Sequence, residues 1–277
     1  MPSMEKEKNS VKLTPDILSA SVPLILNKMA EKGFPCNMEM AIWIAAECYK
    51  ALGVESPKSL TVKDLFFMSN CEASKEFESY FDLYHSLFSP LRNELISLME
   101  IGGRNGSSLE VWEKYFQNAS LIVGCDIDQM YKNTYCASDI IKIISGDVNL
   151  NQVMADIKNI TQSFDIIIDC GSRICSDIVS SFLNYFPLLK PGGLYIVEDV
   201  HALYGRVAGG DALSKLSVHE FFKICADIPS IEAWRDNIAP AVLFSSFIPS
   251  DFPAWLAEGS IESVEFRTSV VIIRKCA

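Results

Sequence analysis

Residues 98–107 read Leu98-Met99-Glu100-Ile101-Gly102-Gly103-Arg104-Asn105-Gly106-Ser107. An apolar run ends here in an acid and passes directly into a glycine-containing turn, after which a helix is expected near Leu109. Glycines let the backbone approach a ligand at the point where the first strand of a doubly wound α/β domain meets its helix. The segment therefore predicts the nucleotide-binding end of such a domain.

The same segment argues against a dinucleotide as the ligand. The dinucleotide fingerprint needs glycine at positions 101, 103 and 106, and position 101 is Ile101. Without a diphosphate to hold, a carboxylate at the end of the strand, Glu100, favours a ligand that carries positive charge. S-adenosylmethionine carries a sulfonium, and we expect it to be the cofactor.

Composition excludes several classes of protein. The 277 residues are 49% hydrophobic and have a formal net charge of -11, which disfavours binding to the phosphates of nucleic acid. Met1–Lys12 is polar and no run of 18 apolar residues follows, so we expect neither a signal peptide nor a membrane span. The nine cysteines contain no Cys-x-x-Cys pair, which favours reduced thiols and a cytoplasmic location.

Two domains are expected. Residues 1–79 show helical patterns and predict a cap or a segment for homodimerisation, whereas residues 80–277 predict the ligand-binding domain. Within the first part, Thr14 and Pro15 begin one helix, a second spans Met38–Leu52, and a third spans Thr61–Met68.

From Glu94 onward, short apolar strands alternate with helices, as in a parallel sheet covered on both faces. The predicted strands are Ser97–Ile101, Leu121–Cys125, Ile140–Ile144, Phe164–Asp169 and Leu194–Val197, followed by an antiparallel pair at Ile261–Phe266 and Ser269–Arg274. The predicted helices are Leu109–Phe116, Leu150–Ile160 and Ile178–Leu189. The predicted fold class is thus α/β and Rossmann-like, with a seven-stranded, mostly parallel sheet that ends in an antiparallel hairpin.

Acidic residues stand at the carboxyl ends of all five predicted parallel strands. Ligands bind beyond the carboxyl ends of such strands, where Asp126 would accept the ribose hydroxyls and Asp147 would meet the adenine. A negatively charged rim of this kind favours a sulfonium over a free phosphate. The residues expected to contact the cofactor are Glu100, Gly102, Gly106, Ser107, Asp126, Ile127, Asp147, Val148 and Asp169.

Several motifs between Tyr80 and Asp199 carry a family resemblance. They are Tyr84 with Phe88-Ser89-Pro90-Leu91-Arg92, Met99–Gly102 with Gly106–Leu109 and Trp112, Gly124–Asp128, Phe164–Ser172 and Phe186–Asp199. In this combination the chain resembles the metal-dependent sugar O-methyltransferases of macrolide biosynthesis, of the mycinamicin and macrocin type. The resemblance implies a class I methyltransferase fold, S-adenosylmethionine and a small-molecule acceptor.

One motif departs from that family. The family reads Asp-Asp-Gly-Ser-His after the fourth strand, where the second Asp helps to hold magnesium and the His is the proposed base. This chain has Cys170 and Arg173 at those two positions, while the family's acids remain as Glu198 and Asp199. A thiol is a poor magnesium ligand, and an arginine cannot accept a proton. We therefore expect no bound metal and a metal-independent reaction.

Other residues must then serve the acceptor. His201 is the candidate base, assisted by Asp199 or Glu198, although an exposed loop histidine explains it as well; Tyr204 is a weaker candidate. Arg173 either anchors a carboxylate or phosphate of the substrate or forms a salt bridge to Glu198 or Asp199.

Two further regions allow alternative interpretations. Gly205–Ser217 has the composition of a loop that closes over the acceptor. The aromatic residues after it either pack in the core or line an apolar acceptor pocket; they are Trp234, Phe244, Phe247, Phe252 and Trp255.

The function expected from the sequence is methyl transfer to the hydroxyl of a small molecule or sugar, in a biosynthetic pathway. Two alternatives stay open. One is a non-catalytic or regulatory protein that keeps the cofactor pocket, and the other is an enzyme of this fold with a different reaction.

Overall fold

The computed structural model describes residues 15–34, 40–41, 44–45, 60–69, 78–103, 106–128, 138–201, 217–234 and 238–277. The chain divides into two compact units, Met1–Ser89 and Pro90–Ala277. The boundary expected between residues 79 and 80 falls inside the last helix of the first unit. A role of this unit as a cap or a dimerisation segment stays a prediction. Within the described ranges, no helix is both long and apolar enough to cross a membrane.

The first unit is helical where it is described. Its helices are α1 (Pro15–Glu31), α2 (Val62–Met68) and α3 (Glu78–Phe88). A capping box begins α2, because the Thr61 hydroxyl accepts from the Asp64 N–H while the Asp64 carboxylate accepts from the Thr61 N–H. The helices predicted near Thr14 and at Thr61–Met68 are confirmed. Most of the predicted helix Met38–Leu52 lies outside the described residues, and its positions 40–41 and 44–45 are helical.

The second unit is built on one seven-stranded sheet. The strands are β1 (Ser97–Ile101), β2 (Leu121–Asp126), β3 (Ile141–Ser145), β4 (Phe164–Asp169), β5 (Leu189–Val197), β6 (Ile261–Arg267) and β7 (Val270–Lys275). They lie in the order β3-β2-β1-β4-β5-β7-β6. All pairs from β3 to β5 are parallel, and β7 is antiparallel to both of its neighbours. The predicted fold class is confirmed.

Helices join the strands of this unit. They are α4 (Ser107–Tyr115), α5 (Asn151–Ile160), α6 (Cys175–Tyr185), α7 (Val218–Cys225), α8 (Pro240–Leu243) and α9 (Ala254–Ala257). All five residues of β1 are buried, as expected for a strand between two layers of helices. The chain leaves β1 toward β2 and β3 on one side and continues with β4 and β5 on the other. This reversal of strand order between β1 and β4 defines where a ligand crevice forms.

The region around Lys190 differs from the prediction. Helix α6 ends at Tyr185 and β5 already begins at Leu189, whereas we expected a helix to Leu189 and a strand from Leu194. The reason is tertiary: Leu189 pairs with Phe164 and Leu194 with Ile166, so residues 190–193 bulge within the strand instead of forming a turn before it. A Cβ at Gly193 would lie 2.9 Å from the Lys190 carbonyl oxygen, which explains the glycine there.

Four of the five aromatic residues noted before β6 pack in the core of the second unit, and the fifth, Trp234, is half-buried. The ring of Trp255 stacks on Phe186 with centroids 4.9 Å apart, and Phe244 lies edge-on to Phe221 at 5.5 Å. Phe244 is fully buried, and Phe247 and Phe252 also pack against the core. The core interpretation of these residues is therefore supported over an acceptor pocket.

The Asp165 carboxylate connects three strands, β1, β4 and β5, near their amino ends. Asp165 Oδ2 accepts from the Ser97 N–H at 2.7 Å and from Lys190 Nζ at 2.7 Å. We expect Asp165→Ala to lower the free energy of unfolding by about 2 kcal/mol, mainly because the Ser97 N–H loses its acceptor. Chemical denaturation measures this loss, with Lys223→Ala as the control because the ion pair that it breaks, to Glu220, is exposed to solvent. Equal losses in the two variants would contradict the prediction.

Candidate active site

The carboxyl ends of the five parallel strands are connected by hydrogen bonds. In each case the N–H of the residue that begins a loop donates to a carbonyl of the neighbouring strand. The four bonds are Gly146 to Asp126 at 2.8 Å, Gly102 to Cys125 at 2.8 Å, Cys170 to Ile101 at 3.0 Å and Glu198 to Asp169 at 2.9 Å. The loops after β1 to β5 therefore form one continuous edge, and the residues predicted from separate strands come together there.

The turn after β1 depends on two glycines with positive φ. Gly102 has a φ of 88°, and a Cβ on it would lie 2.5 Å from the Cα of Gly171. Gly106 has a φ of 76° and is the N-cap residue of α4, which has no side-chain cap. This close approach fixes the first loop against the loop that follows β4.

Glu100 points into the unit instead of toward solvent. It is 5% exposed, and its carboxylate accepts from the Ser108 hydroxyl at 2.5 Å and from Trp112 Nε1 at 3.4 Å. Burial raises the pKa of Glu100 to about 7, although these two hydrogen bonds lower it. Sequence reasoning missed both partners, whose i, i+4 spacing places them on one face of α4. Contact of Glu100 with a cofactor stays a prediction.

The loops after β2 and β3 present the acids expected for the adenosine end of a ligand. Asp126 Oδ1 accepts from the Asp128 N–H at 2.8 Å, and Asp147 Oδ1 accepts from the Asn149 N–H at 2.9 Å. Both are Asx turns, which hold a carboxylate close to its own backbone. Of the residues that directly follow these two acids, the Ile127 side chain is 71% exposed and Val148 is buried.

Helix α6 holds the loop after β3 in place. The Asn149 side chain donates to the Asp177 carbonyl at 3.1 Å and to the Ser181 hydroxyl at 3.2 Å. The Tyr185 hydroxyl donates to the Val148 carbonyl at 2.7 Å. Sequence reasoning missed these residues; the Asp-x-Asn spacing was the available signal of a turn, but it does not reveal the helix that the turn contacts.

Asp169 is also buried and satisfied within the protein. Its Oδ1 accepts from the Gly171 N–H at 3.2 Å and its Oδ2 from the Tyr195 hydroxyl at 3.0 Å. Burial raises the pKa of Asp169 to about 6, against the lowering effect of these two bonds. A direct contact of Asp169 with a cofactor stays a prediction.

Cys170 carries a neutral thiol at the centre of the edge. Its Sγ lies 3.0 Å from the Ile101 carbonyl oxygen and 3.5 Å from that of Gly102, so the thiol donates toward the first loop. Burial raises the pKa of Cys170 well above its usual value. The negative charges around it raise it further; they are Glu198, Glu100, Asp169 and Asp199. The thiol thus stays protonated at neutral pH.

Arg173 and Asp199 form an ion pair across the ends of β4 and β5. Arg173 Nη2 lies 3.3 Å from Asp199 Oδ2, and the two side chains are 50% and 22% exposed. The salt bridge considered for Arg173 is thus observed. Asp199 has a φ of 55°, which is uncommon outside glycine. His201, two residues further on, is exposed, and Tyr204 lies outside the described residues.

The donor set at this edge does not fit a divalent metal. Magnesium needs hard oxygen ligands, whereas Cys170 offers a protonated thiol that faces β1. The carboxylate of Asp199 already forms an ion pair with Arg173. Over the described ranges, no three His, Cys, Asp or Glu side chains are grouped so that they could hold a metal ion. Metal independence of a reaction is a separate question and stays a prediction.

Comparison with solved structures defines the class of fold. The structure matches the MycE methyltransferase from the mycinamycin biosynthetic pathway, solved in complex with Mg and SAH, with a TM-score of 0.64 and 22% identity. The match covers 87% of this chain and 62% of that one. The chain has the class I methyltransferase fold. No protein-family profile matches it.

Sequence comparison gives particular relatives. Demethylmacrocin O-methyltransferase of Streptomyces fradiae is 34% identical over 136 residues, which are 47% of this chain and 33% of the relative. The 8-demethyl-8-alpha-L-rhamnosyl tetracenomycin-C 2'-O-methyltransferase of Streptomyces olivaceus is 31% identical over 133 residues, 46% of this chain and 34% of the relative. The resemblance to macrolide sugar O-methyltransferases is confirmed, and the chain spans about a third of the length of these relatives.

Proposed function

We propose that this protein transfers a methyl group from S-adenosylmethionine to a hydroxyl of a small molecule or sugar, without a divalent metal, in a biosynthetic pathway. The observation that carries the proposal is the continuous edge of five strand ends, where glycine turns and carboxylates meet at the reversal of strand order. Relatives that are named as O-methyltransferases, one of them of a rhamnosyl tetracenomycin, support the same activity.

The residues at the edge fit the proposed cofactor. The carboxylates of Asp126 and Asp147 offer acceptors for hydroxyl and amino groups, and the exposed side chains of Ile127 and Leu150 offer apolar surface for a flat base. Gly106 leaves the start of α4 without a side-chain cap, so that Ser107 and the first N–H groups of the helix can face a ligand. In this proposal Gly102 shapes the turn.

The chemistry requires alignment and removal of one proton. When bound, S-adenosylmethionine supplies a methyl group that its sulfonium already activates. The acceptor oxygen forms a bond to that methyl carbon as the carbon–sulfur bond breaks, and the hydroxyl proton leaves to a base. We assign the base to His201, oriented or charge-stabilised by Asp199, which Arg173 holds in place through the ion pair.

A non-catalytic role is the second candidate. The ion pair between Arg173 and Asp199 favours it. Arg173 cannot accept a proton, and it stands where the family that the chain resembles has its proposed base. Binding of the cofactor without methyl transfer to any metabolite of a cell extract would favour this second candidate over the first.

The cofactor site is tested by Asp126→Ala. We expect its affinity for S-adenosylhomocysteine, measured by calorimetry, to fall about a hundredfold, because hydrogen bonds to a charged carboxylate are lost. The control is Asp156→Ala, which removes an exposed acid on α5 that accepts a hydrogen bond from the exposed Gln152. Undiminished affinity of the Asp126 variant, or no heat with the unaltered protein, would contradict the proposed function.

Two further proposals concern the setting of the enzyme. We propose a cytoplasmic location, supported by four cysteines that form no disulfide among the described residues: Cys125, Cys170, Cys225 and Cys276. We also propose a homodimer through the N-terminal helices and no nucleic-acid partner, the latter supported by the net charge of -11.

A further inference from the structure

We propose that the guanidinium of Arg173 is a built-in cation: it takes the place of a divalent metal beside Asp199 and prevents such a metal from binding there. The proposal rests on the proposed function for its meaning in catalysis, but the binding of a metal can be measured without it. Three observations support it: the ion pair to Asp199, the direction of the Cys170 thiol, and the backbone hydrogen bonds on both sides of Asp199.

The ion pair places a positive charge among the carboxylates after β5. Arg173 Nη2 lies 3.3 Å from Asp199 Oδ2, and Glu198 directly precedes Asp199. A metal ion bound to these carboxylates would face the guanidinium at close range, where two positive charges repel strongly. The guanidinium instead supplies charge and several N–H donors at the same point.

The position of Asp199 is fixed by the backbone. The Glu198 N–H donates to the Asp169 carbonyl at 2.9 Å, and the Val200 N–H donates to the Ser269 carbonyl at 3.2 Å. Asp199 lies between these bonds with a φ of 55°. Because the residues on both sides of Asp199 are bonded to other parts of the unit, to β4 and to the turn between β6 and β7, its carboxylate stays where Arg173 reaches it. A simple rearrangement that frees it for a metal is therefore disfavoured.

Cys170 stands where the family that the chain resembles has an aspartate that helps to hold magnesium, so a carboxylate ligand is missing at this position. Its Sγ is 3.0 Å from the Ile101 carbonyl oxygen and 3.5 Å from that of Gly102, so the side chain connects the loops after β4 and β1. An aspartate at this position would bring a carboxylate, which carbonyl oxygens repel and which would turn toward a cation instead. Cys170 and Arg173 therefore act together: one withdraws a ligand and the other supplies the charge.

The experiment measures the binding of Mn²⁺ alone, by the decrease of its free-ion signal in electron paramagnetic resonance. The full chain is compared with Arg173→Ala and with the double variant Cys170→Asp, Arg173→Ala. We expect affinity for Mn²⁺ to rise about tenfold in the single variant, from loss of charge repulsion. In the double variant we expect a rise of about a hundredfold, since it also gains a ligand.

Arg267→Ala is the matched control, because it removes an arginine that is also about half exposed and also paired, to Glu265 on β6. We expect it to bind Mn²⁺ no better than the unaltered chain. Equal affinities of the Arg173 and Arg267 variants would overturn the proposal, as would Mn²⁺ binding by the unaltered chain as tight as by the double variant. If Cys170→Asp prevents folding, which a thermal melt detects, the single variant still decides.

The outcomes separate this inference from the proposed function. Lack of binding of S-adenosylhomocysteine to the unaltered chain contradicts the methyltransferase proposal and leaves the metal measurement valid. Unchanged Mn²⁺ affinity in the Arg173 variants, in a chain that binds S-adenosylhomocysteine, contradicts only the role of the guanidinium as the built-in cation.

Discussion

The Gly102→Ala variant is expected to lose about 4 kcal/mol of its free energy of unfolding, which is enough to unfold many domains of this size. Two causes add. Gly102 has a φ of 88°, which an L-residue adopts only at a cost, and the new Cβ would lie 2.5 Å from the Cα of Gly171 and 2.7 Å from its nitrogen. Both atoms belong to backbone, so no side chain can move to relieve the overlap.

Gly192→Ala is the matched control for this prediction. Gly192 has a φ of 74°, but a Cβ there would meet no atom within 4 Å. We expect this variant to lose only about 1 kcal/mol, the cost of the backbone conformation alone. Denaturant titrations of both variants give the difference, which measures the close approach between the loops after β1 and β4. Losses of similar size would show that these two loops do not constrain each other.

The stability of the protein is expected to fall as the pH rises from about 4.5 to 7, and Glu100→Gln is expected to remove much of this fall. Burial raises the pKa of Glu100 from 4.5 to about 7, so in this range the folded chain keeps a proton that the unfolded chain releases. The stabilisation by the neutral form is complete below pH 4.5 and is lost by pH 7. The shift corresponds to roughly 3 kcal/mol.

The glutamine variant can form a hydrogen bond with each partner of Glu100, although the bond with Ser108 changes direction. Its amide oxygen can accept from Trp112 Nε1, and its amide nitrogen can donate to the Ser108 hydroxyl. We therefore expect it to be more stable than the unaltered chain at pH 8 and equally stable at pH 4, as followed by denaturant titration at each pH. Part of the slope should remain, because the pKa of Asp169 is also raised, to about 6.

Glu262→Gln on the exposed edge strand β6 is the control for the removal of a negative charge. It should leave the dependence on pH as it is in the unaltered chain. If the Glu100 and Glu262 variants follow the same curve, the buried carboxylate does not control the stability in this range.

The strands and the glycine turn could be predicted because their signals are local. The predicted strand Ser97–Ile101 is confirmed residue for residue. Its signal is a short, mainly apolar run that is followed directly by Gly102. Helix α4 begins two residues earlier than we predicted, because Gly106 adopts a positive φ that starts it. Helix α7 was not predicted at all: its apolar side packs on aromatic residues such as Phe182, whose position depends on the whole fold.

The sequence predicts which residues lie together at the candidate site, but not the contacts that they make. Asp126 and Asp169 end parallel strands and Asp147 follows one, and the carboxyl ends of parallel strands must meet at one edge of a sheet. No local pattern shows that Asp169 is buried against Tyr195, 26 residues away, or that Glu100 is turned inward under α4. Those orientations follow from the helix and the strand that supply the partners of each carboxylate, α4 for Glu100 and β5 for Asp169.

The amino-acid sequence alone determined the class of fold, the turn after β1 and the row of acids, because hydrophobic periodicity, glycine and strand-end residues act over a few neighbouring positions. Only the tertiary structure decided that the Cys170 thiol donates to Ile101, 69 residues earlier, and that Arg173 pairs with Asp199. The physical reason is that the partners of a side chain at a sheet edge are set by the strand order and register. In this chain they join residues that are remote in sequence.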